Sequence, residues 1–408
     1  MPERDLSTPA PASPPLPQQG RLAAAWQAAA DSWFAGAVLL PFAVTRLAWL
    51  LVAAFAQATF LPNPTYLKYA QQGGQLTRVW LLDIFSRWDA RFYLSIIRDG
   101  YQASPDLTTQ YSNTAFFPLY PYLVKGIGWL GVPLPTGVIL LAGLLLSNAC
   151  FLAAAALLYR LAVDRLGLSE AAARRALALL MVFPTSFFFS SFYTESLFLL
   201  LSLGALYAGL DRRWWLAGIC AALAVLTRNQ GLVVVAALAF LYLEQRGWRL
   251  KAVRWDALWL ALAPAALLAH LYSLWRITGS FFAPYQAVQA WGRGQYGLLE
   301  GLRLQLEAPV LDVYKLDAAL SLLFLGCGVY LLRRTPRVWG VYTLLMCLMP
   351  LSSGLLISMG RYLVVVFPVF LLLGEKLERR GAYDLTRALF FALQVVYFAG
   401  WVNYYWID

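Results

Sequence analysis

The sequence predicts an all-α, polytopic transmembrane protein, and three observations carry that expectation. Hydrophobic residues make up 61% of the 408 positions and charged residues only 13%, too apolar for a soluble globular domain. The mean hydropathy of +0.61 agrees. Apolar stretches recur along the chain with arginine-rich clusters between them, and lipid forces such stretches to be helical because their backbone groups must be satisfied internally.

Residues 1–31, including "STPAPASPPLPQQG", are rich in Pro, Ala and Gln and predict a disordered cytoplasmic tail. The run from Trp33 to Phe60 is too long and begins too late for a cleaved signal peptide, so 34–60 is the first predicted span. The positive-inside rule puts five basic clusters on the cytoplasmic side: Arg160 to Arg175, Arg212 and Arg213, Arg246 to Arg254, Arg333 to Arg337, and Lys376 to Arg387. Further spans then fall near 136–159, 176–192, 194–210, 214–227, 231–243, 257–277, 317–332, 338–357, 361–375 and 388–406, eleven in all within a range of nine to thirteen. Several are shorter than the ~20 residues of a straight span, so tilted, broken or re-entrant helices are expected. Residues 32–408 form one transmembrane domain with large extracytoplasmic loops at 61–133 and 278–316, the first carrying interfacial helices. The lipid bilayer is thus a partner. The net charge of +11 reflects the basic clusters and anionic headgroups, and no nucleic-acid partner is expected.

Composition also excludes chemistries. Cys150, Cys220, Cys327 and Cys347 all lie in apolar segments without metal-ligand spacing and read as packing residues. The single histidine, His270, lies in a predicted span, which removes a Ser-His-Asp triad or a histidine metal centre. No Walker A or GxGxxG motif is present, so nucleotide energy is not used directly.

Polar motifs sit between the apolar halves, on the face opposite the basic clusters. "RWDARFY" and "FFPLYP" lie in the first outer loop; "FYTESLF" with Glu195, "LTRNQGL" with Arg228 and "SMGRYLV" with Arg361 occupy outer hairpin tips; "FFAPYQAVQAWGRG" lies in the second outer loop. Their convergence on one face is the layout of an enzyme site at the membrane boundary, whereas a transporter more often holds such groups at the midplane.

If 86–101 is helical, Asp89 falls among Phe92, Tyr93, Ile96 and Ile97, with Arg87, Arg91, Ser95 and Arg98 on the opposite face. A carboxylate on the apolar face needs a partner or a task. It serves either as a general base in a partly desolvated pocket, taking a proton from an acceptor hydroxyl, or as half of a buried ion pair with an arginine from another element. Arg228 and Arg361 are placed to grip a phosphate bidentately or to snorkel to headgroups. Glu195 is the one carboxylate that reads as intramembrane, hence a functional candidate, with a salt bridge to Arg228 as the alternative. The "FFPLYP" segment reads as a Pro-broken helix entry whose aromatics also suit the headgroup belt, and the glycine-flanked arginine of "WGRG" reads equally as a simple turn or a ligand contact.

Together, "WDARFYLSIIRDGY", "FFPLYP", "FPTSFFFSSFYTESLF", "LTRNQG" and "GRYL", in that order from about Trp33 to Tyr405, resemble the PIG-V family of integral-membrane mannosyltransferases with the GT-C fold. The resemblance implies a lipid-phosphate sugar donor used from the extracytoplasmic side, Asp89 as the catalytic aspartate of an inverting transfer, and Trp88 shaping its site. Arg91, Tyr93, Glu195, Arg228, Asn229, Gln230, Arg361 and Tyr362, from the same motifs, are expected to bind substrate. Five lysines against 27 arginines point to a GC-rich genome, hence a bacterial plasma membrane with the site facing outside and a polyprenyl-phosphate hexose, mannose first, as donor. A glycan or glycolipid is the expected acceptor. No cofactor is required; a divalent metal is optional, with Asp83, Asp89, Asp99 and Asp106 as its oxygen ligands. The alternative function is a lipid-linked sugar flippase, which needs no base.

Overall fold

A computed structural model describes residues 32–69, 75–127, 134–294, 300, 303, 307, 313–334, 336–352 and 358–407; the expected 1–31 tail and parts of both outer loops lie outside the described residues. The described elements are helical, with no strand among them. In chain order we label α1 (Leu40–Thr59), α2 (Ala90–Asp99), α3 (Leu119–Ile127), α4 (Thr136–Arg160), α5 (Glu170–Met181), α6 (Glu195–Leu210), α7 (Trp214–Thr227), α8 (Gly231–Glu244), α9 (Leu262–Thr278), α10 (Val313–Leu331), α11 (Val338–Leu351), α12 (Met359–Leu363), α13 (Phe367–Lys376) and α14 (Arg380–Val402).

Among the described residues, four helical stretches are long and apolar enough to cross a bilayer: Ala35–Thr59, Thr136–Arg165, Trp255–Thr278 and Arg380–Val402. The shorter helices α6, α7, α8 and α11 are also apolar. Such short, all-round apolar helices are core elements, buried among neighbours.

Two predicted spans are broken. Residues 176–192 are not one helix: α5 stops at Met181 ahead of Pro184, which lacks an N–H and disfavours helix before it, and a 3-10 turn follows at Ser186–Ser190. The non-helical stretch from Phe183 to Thr194 is buried throughout, so its polar groups must be met by side chains from elsewhere. Gln394 of α14 donates to the carbonyls of Met181 (3.1 Å) and Phe183 (2.9 Å), Ser196 to Phe189 O (2.6 Å), and Thr185 to Gly360 O (2.7 Å). Residues 361–375 divide likewise into α12 and α13, with Pro368 in the first turn of α13.

The site end is fixed by close backbone approach. A Cβ on Gly231 would stand 2.3 Å from the Val225 backbone nitrogen, so the α7–α8 hairpin closes tightly only with glycine there, and Arg228 stands at its tip. A Cβ on Gly360 would meet Thr185 Cγ2 at 2.8 Å, and Arg361 follows directly. At the opposite ends of these helices lie basic clusters: Arg165 pairs with Asp211 after α6 (2.7 Å) and Arg246 with Asp256 after α8 (2.9 Å). An aliphatic core joins α4 to α8 with α10 to α13, whereas an aromatic core, including Trp49, Phe85, Tyr120, Phe188, Tyr193 and Trp401, packs beneath the first loop.

Candidate active site

The loop that carries Asp89 is built around a buried ion pair. Asp83 and Arg87 meet at 2.6 Å with both side chains nearly inaccessible, and the Arg87 guanidinium lies 3.8 Å over the Tyr404 ring. This corrects the expectation that Arg87 belongs to an outward polar face. Burial pushes the Asp83 carboxyl up, opposed by the charge of Arg87. Trp88 then adopts a left-handed φ of 54°, and the Tyr193 hydroxyl pins the turn, donating to Arg87 O (2.9 Å) and accepting from Asp89 N (3.1 Å). Helix α2 begins only at Ala90, so Asp89 precedes it instead of lying within it, a second correction caused by the Trp88 turn. The apolar face of α2 is nonetheless buried, within protein: Phe92 stacks on Phe116 at 4.8 Å and Tyr93 meets Tyr120 edge-on at 5.7 Å.

Four charged residues from four segments converge. Arg361 Nη1 donates to Asp89 Oδ2 at 2.8 Å. Arg361 Nε and Arg228 Nη1 both donate to Glu195 Oε1. Arg228 also donates to Gln230 Oε1 (2.7 Å) and Thr194 Oγ1 (3.2 Å). Glu195 is fully buried at the first position of α6, where the positive end of the helix dipole favours its charge. Both ion pairs offered as alternatives for Asp89 and Glu195 are therefore present, and Glu195 serves two arginines where one was expected. The Arg361 guanidinium lies 4.5 Å over Tyr193 and 5.3 Å over Phe188; Arg228 lies 5.4 Å from the Tyr362 ring.

These groups open on a cavity of about 520 Å³. Asp89, Tyr93, Arg228, Asn229, Gln230, Arg361 and Tyr362 line it, joined by Arg293. Leu232, Leu267, Leu271, Phe282, Val288 and Met349 add an apolar wall from α8, α9, α11 and the second loop. Of the predicted site residues, Glu195, Trp88 and Arg91 are not among its lining. Glu195 stands behind the two arginines, Trp88 packs against Tyr66 (4.9 Å) and Trp406 (5.0 Å), and Arg91 lies over Phe92 at 4.5 Å. The walls thus present three guanidinium groups against one carboxylate, a balance suited to an anion with an apolar tail.

Sequence reasoning leaves Arg293 of "WGRG" open between a simple turn and a ligand contact, and assigns Trp291 no role. Both line the cavity; Arg293 donates to Ser358 Oγ at 3.4 Å and lies 5.1 Å over Tyr362, while Trp291 packs on Tyr111 at 4.8 Å. The glycine flanks are what mark Arg293 in the sequence; Trp291 carries no comparable signal. Asp317 of α10 is also buried, so Glu195 is not alone as a carboxylate in an apolar helix; the place of Asp317 at the edge of the apolar run hides it. Of the carboxylates named as optional metal ligands, Asp106 is engaged by Thr108 (2.7 Å) and Thr109 (2.6 Å), which hold its carboxyl down to about 2. Among the described residues, no three His, Cys, Asp or Glu side chains gather to hold a metal ion.

The sequence profile of the family described as mannosyltransferase (PIG-V) matches residues 39–281, more than half of the chain. Asp89, Glu195 and Arg228 fall inside that range, Arg293 and Arg361 beyond it. The chain is 34% identical over 191 residues to GPI alpha-1,6-mannosyltransferase 2 of Rattus norvegicus, covering 44% of this chain and 35% of that protein. It is 35% identical over 166 residues to GPI alpha-1,6-mannosyltransferase 2 of Mus musculus, covering 38% and 30% respectively. The match spans about a third of the length of these relatives.

Proposed function

The chain belongs to the PIG-V mannosyltransferase family, and from that premise we propose that it transfers a hexose, mannose first, from a polyprenyl-phosphate donor to a glycan or glycolipid hydroxyl on the extracytoplasmic face, with inversion. The acceptor oxygen attacks the anomeric carbon, the C1–O bond to phosphate breaks, Asp89 takes the hydroxyl proton, and polyprenyl phosphate leaves. The leaving phosphate is a stable anion and needs no general acid at neutral pH. A GT-C architecture with about eleven spans and a bacterial plasma membrane belong to the same reading.

The observation that carries it is the pairing of Asp89 with Arg361 on the wall of a cavity that also holds Arg228, Arg293 and an apolar lining. The arginines suit the donor phosphate and the apolar wall its prenyl chain. Asp89, with its side chain 14% exposed, suits a base that must reach an acceptor yet be shielded from water. Arg361 contacts both Asp89 and Glu195, which supports a role for it in holding the phosphate and orienting the base. A flippase shares the lipid and phosphate contacts but needs no base, and would use the aspartate only as the ion-pair partner of Arg361.

The test is incubation of purified protein with a panel of polyprenyl-phosphate sugars, following released polyprenyl phosphate. Slow hydrolysis, with water in place of the acceptor hydroxyl, reveals the donor. No release from any donor, with or without crude glycolipid acceptor, would contradict the proposal.

A further inference from the structure

A second cavity, of about 510 Å³, lies at the opposite ends of α7 and α8 and is lined by Arg212, Trp214, Gln245, Arg246, Lys251, Ala252, Arg254 and Asp256. Four cations thus face a single carboxylate. Arg246 is the one neutralised: it pairs with Asp256 at 2.9 Å, donates to Ala252 O at 3.0 Å, and lies 3.5 Å over the Tyr242 ring. The side chains of Arg212, Lys251 and Arg254 are exposed and have no hydrogen-bond or ion-pair partner among the described residues.

Four features distinguish this place from a scatter of topological charges. The cations come from two separate connections, α6 to α7 and α8 to α9, drawn around one hollow that Trp214 and Tyr242 brace with rings 4.7 Å apart. The 14-residue helix α7 starts at Trp214 with no side chain capping its N-terminus, so its positive end is unmet. The Trp214 indole nitrogen, buried in a residue of the cavity wall, has no hydrogen-bond partner among the described residues. Arg212 is held in a left-handed turn (φ 57°) by its N–H bond to Gly209 O at 3.1 Å, a conformation that needs support from its surroundings.

We propose that this cavity binds a phosphate-bearing anion, with the headgroup of an anionic phospholipid as the favoured source. The helix terminus and the three uncompensated cations favour negative charge, and the indole N–H lacks an acceptor among the described residues. Exposed Trp215 (51%), Trp248 (54%) and Trp255 (86%) flank it, and tryptophan in that state belongs at headgroup depth. The site lies at the far ends of α7 and α8 from the Asp89 cavity and shares no lining residue with it, and its function does not depend on the transfer reaction.

The test is lipid titration of the purified full chain in detergent, read by native mass spectrometry, with phosphatidylglycerol, phosphatidylcholine and inorganic phosphate as probes. Phosphatidylglycerol is expected to bind in preference to phosphatidylcholine. The Arg212→Gln/Lys251→Gln/Arg254→Gln variant, altered only in exposed side chains, is expected to lose that preference by on the order of 100-fold, about fivefold per cation. A control, Arg333→Gln/Arg379→Gln/Arg380→Gln, removes three cations elsewhere and is expected to retain it. Competition by millimolar inorganic phosphate would assign the same site to free phosphate. Equal binding of the two lipids without phosphate competition, an unchanged preference in the cavity variant, or an equal loss in the control would overturn the proposal.

Discussion

Arg361 donates through Nη1 to Asp89 at 2.8 Å, across 272 positions of sequence, while its Nε reaches Glu195. One planar side chain thereby joins the proposed proton acceptor to the carboxylate that also neutralises Arg228. Under the proposed mechanism, phosphate binding and orientation of the base are coupled through it.

Replacing Arg361 by Ala is therefore expected to weaken donor use and lower turnover together, and Arg228→Ala to weaken donor use chiefly. Lysine at either position is expected to rescue only in part, because an ammonium cannot reproduce the fork that reaches two acceptors at once. Steady-state kinetics over donor concentration separates the two effects. Wild-type rates in both alanine variants would remove the arginines from phosphate binding.

Glu195→Gln strips the buried neutraliser from two guanidinium groups. Loss of one member of a buried charge network costs about 3–5 kcal/mol, so the variant is expected to unfold at markedly lower temperature in detergent. Thermal unfolding followed by circular dichroism measures this. A variant as stable as wild type would show that the arginines find other partners.

Arg87→Gln is expected to be a folding variant and not a catalytic one, since it leaves Asp83 buried without its cation. The double variant Asp83→Asn/Arg87→Gln removes both charges and is expected to recover part of the loss. Unfolding temperatures of the two single variants and the double variant close the cycle. Equal or greater instability in the double variant would deny the pair its structural role.

Sidedness is tested by thiol labelling of intact cells. The native cysteines are buried or half-buried, so a cysteine at exposed Gln110 in the first loop is expected to react with an impermeant reagent added outside, and one at exposed Arg249 is not. The reverse pattern would invert the proposed orientation.

The pattern of legibility follows from the physics of charge in apolar surroundings. Glu195, Arg228 and Arg361 stand out because each interrupts a hydrophobic run, and Asp89 because helical periodicity puts it on the apolar face of a charged segment; in both settings an uncompensated charge is expensive. Their mutual pairing depends on contacts between distant segments, and spacing carries no record of these. The orientation of Arg87 eludes helical periodicity because the left-handed backbone of Trp88 resets the register. Arg46, the one charge in the apolar run of the first span, carries the same mark and is passed over by the sequence reading; it donates to Ser190 at 3.0 Å and lies over Phe42 at 3.9 Å. The breaks at Pro184 and Pro368 are readable as prolines, but an apolar run remains apolar whether or not it is one helix.

The most direct test of the account is transfer by Asp89→Asn measured beside donor binding by the same protein. Asparagine keeps the size and leaves an oxygen for Arg361, yet cannot accept the proton. The variant is expected to fold, to bind polyprenyl-phosphate sugar within a few fold of wild type, and to lose ~10²–10⁴-fold in transfer. An Asp89→Asn protein that transfers sugar at the wild-type rate would contradict the assignment and leave Asp89 as the structural partner of Arg361.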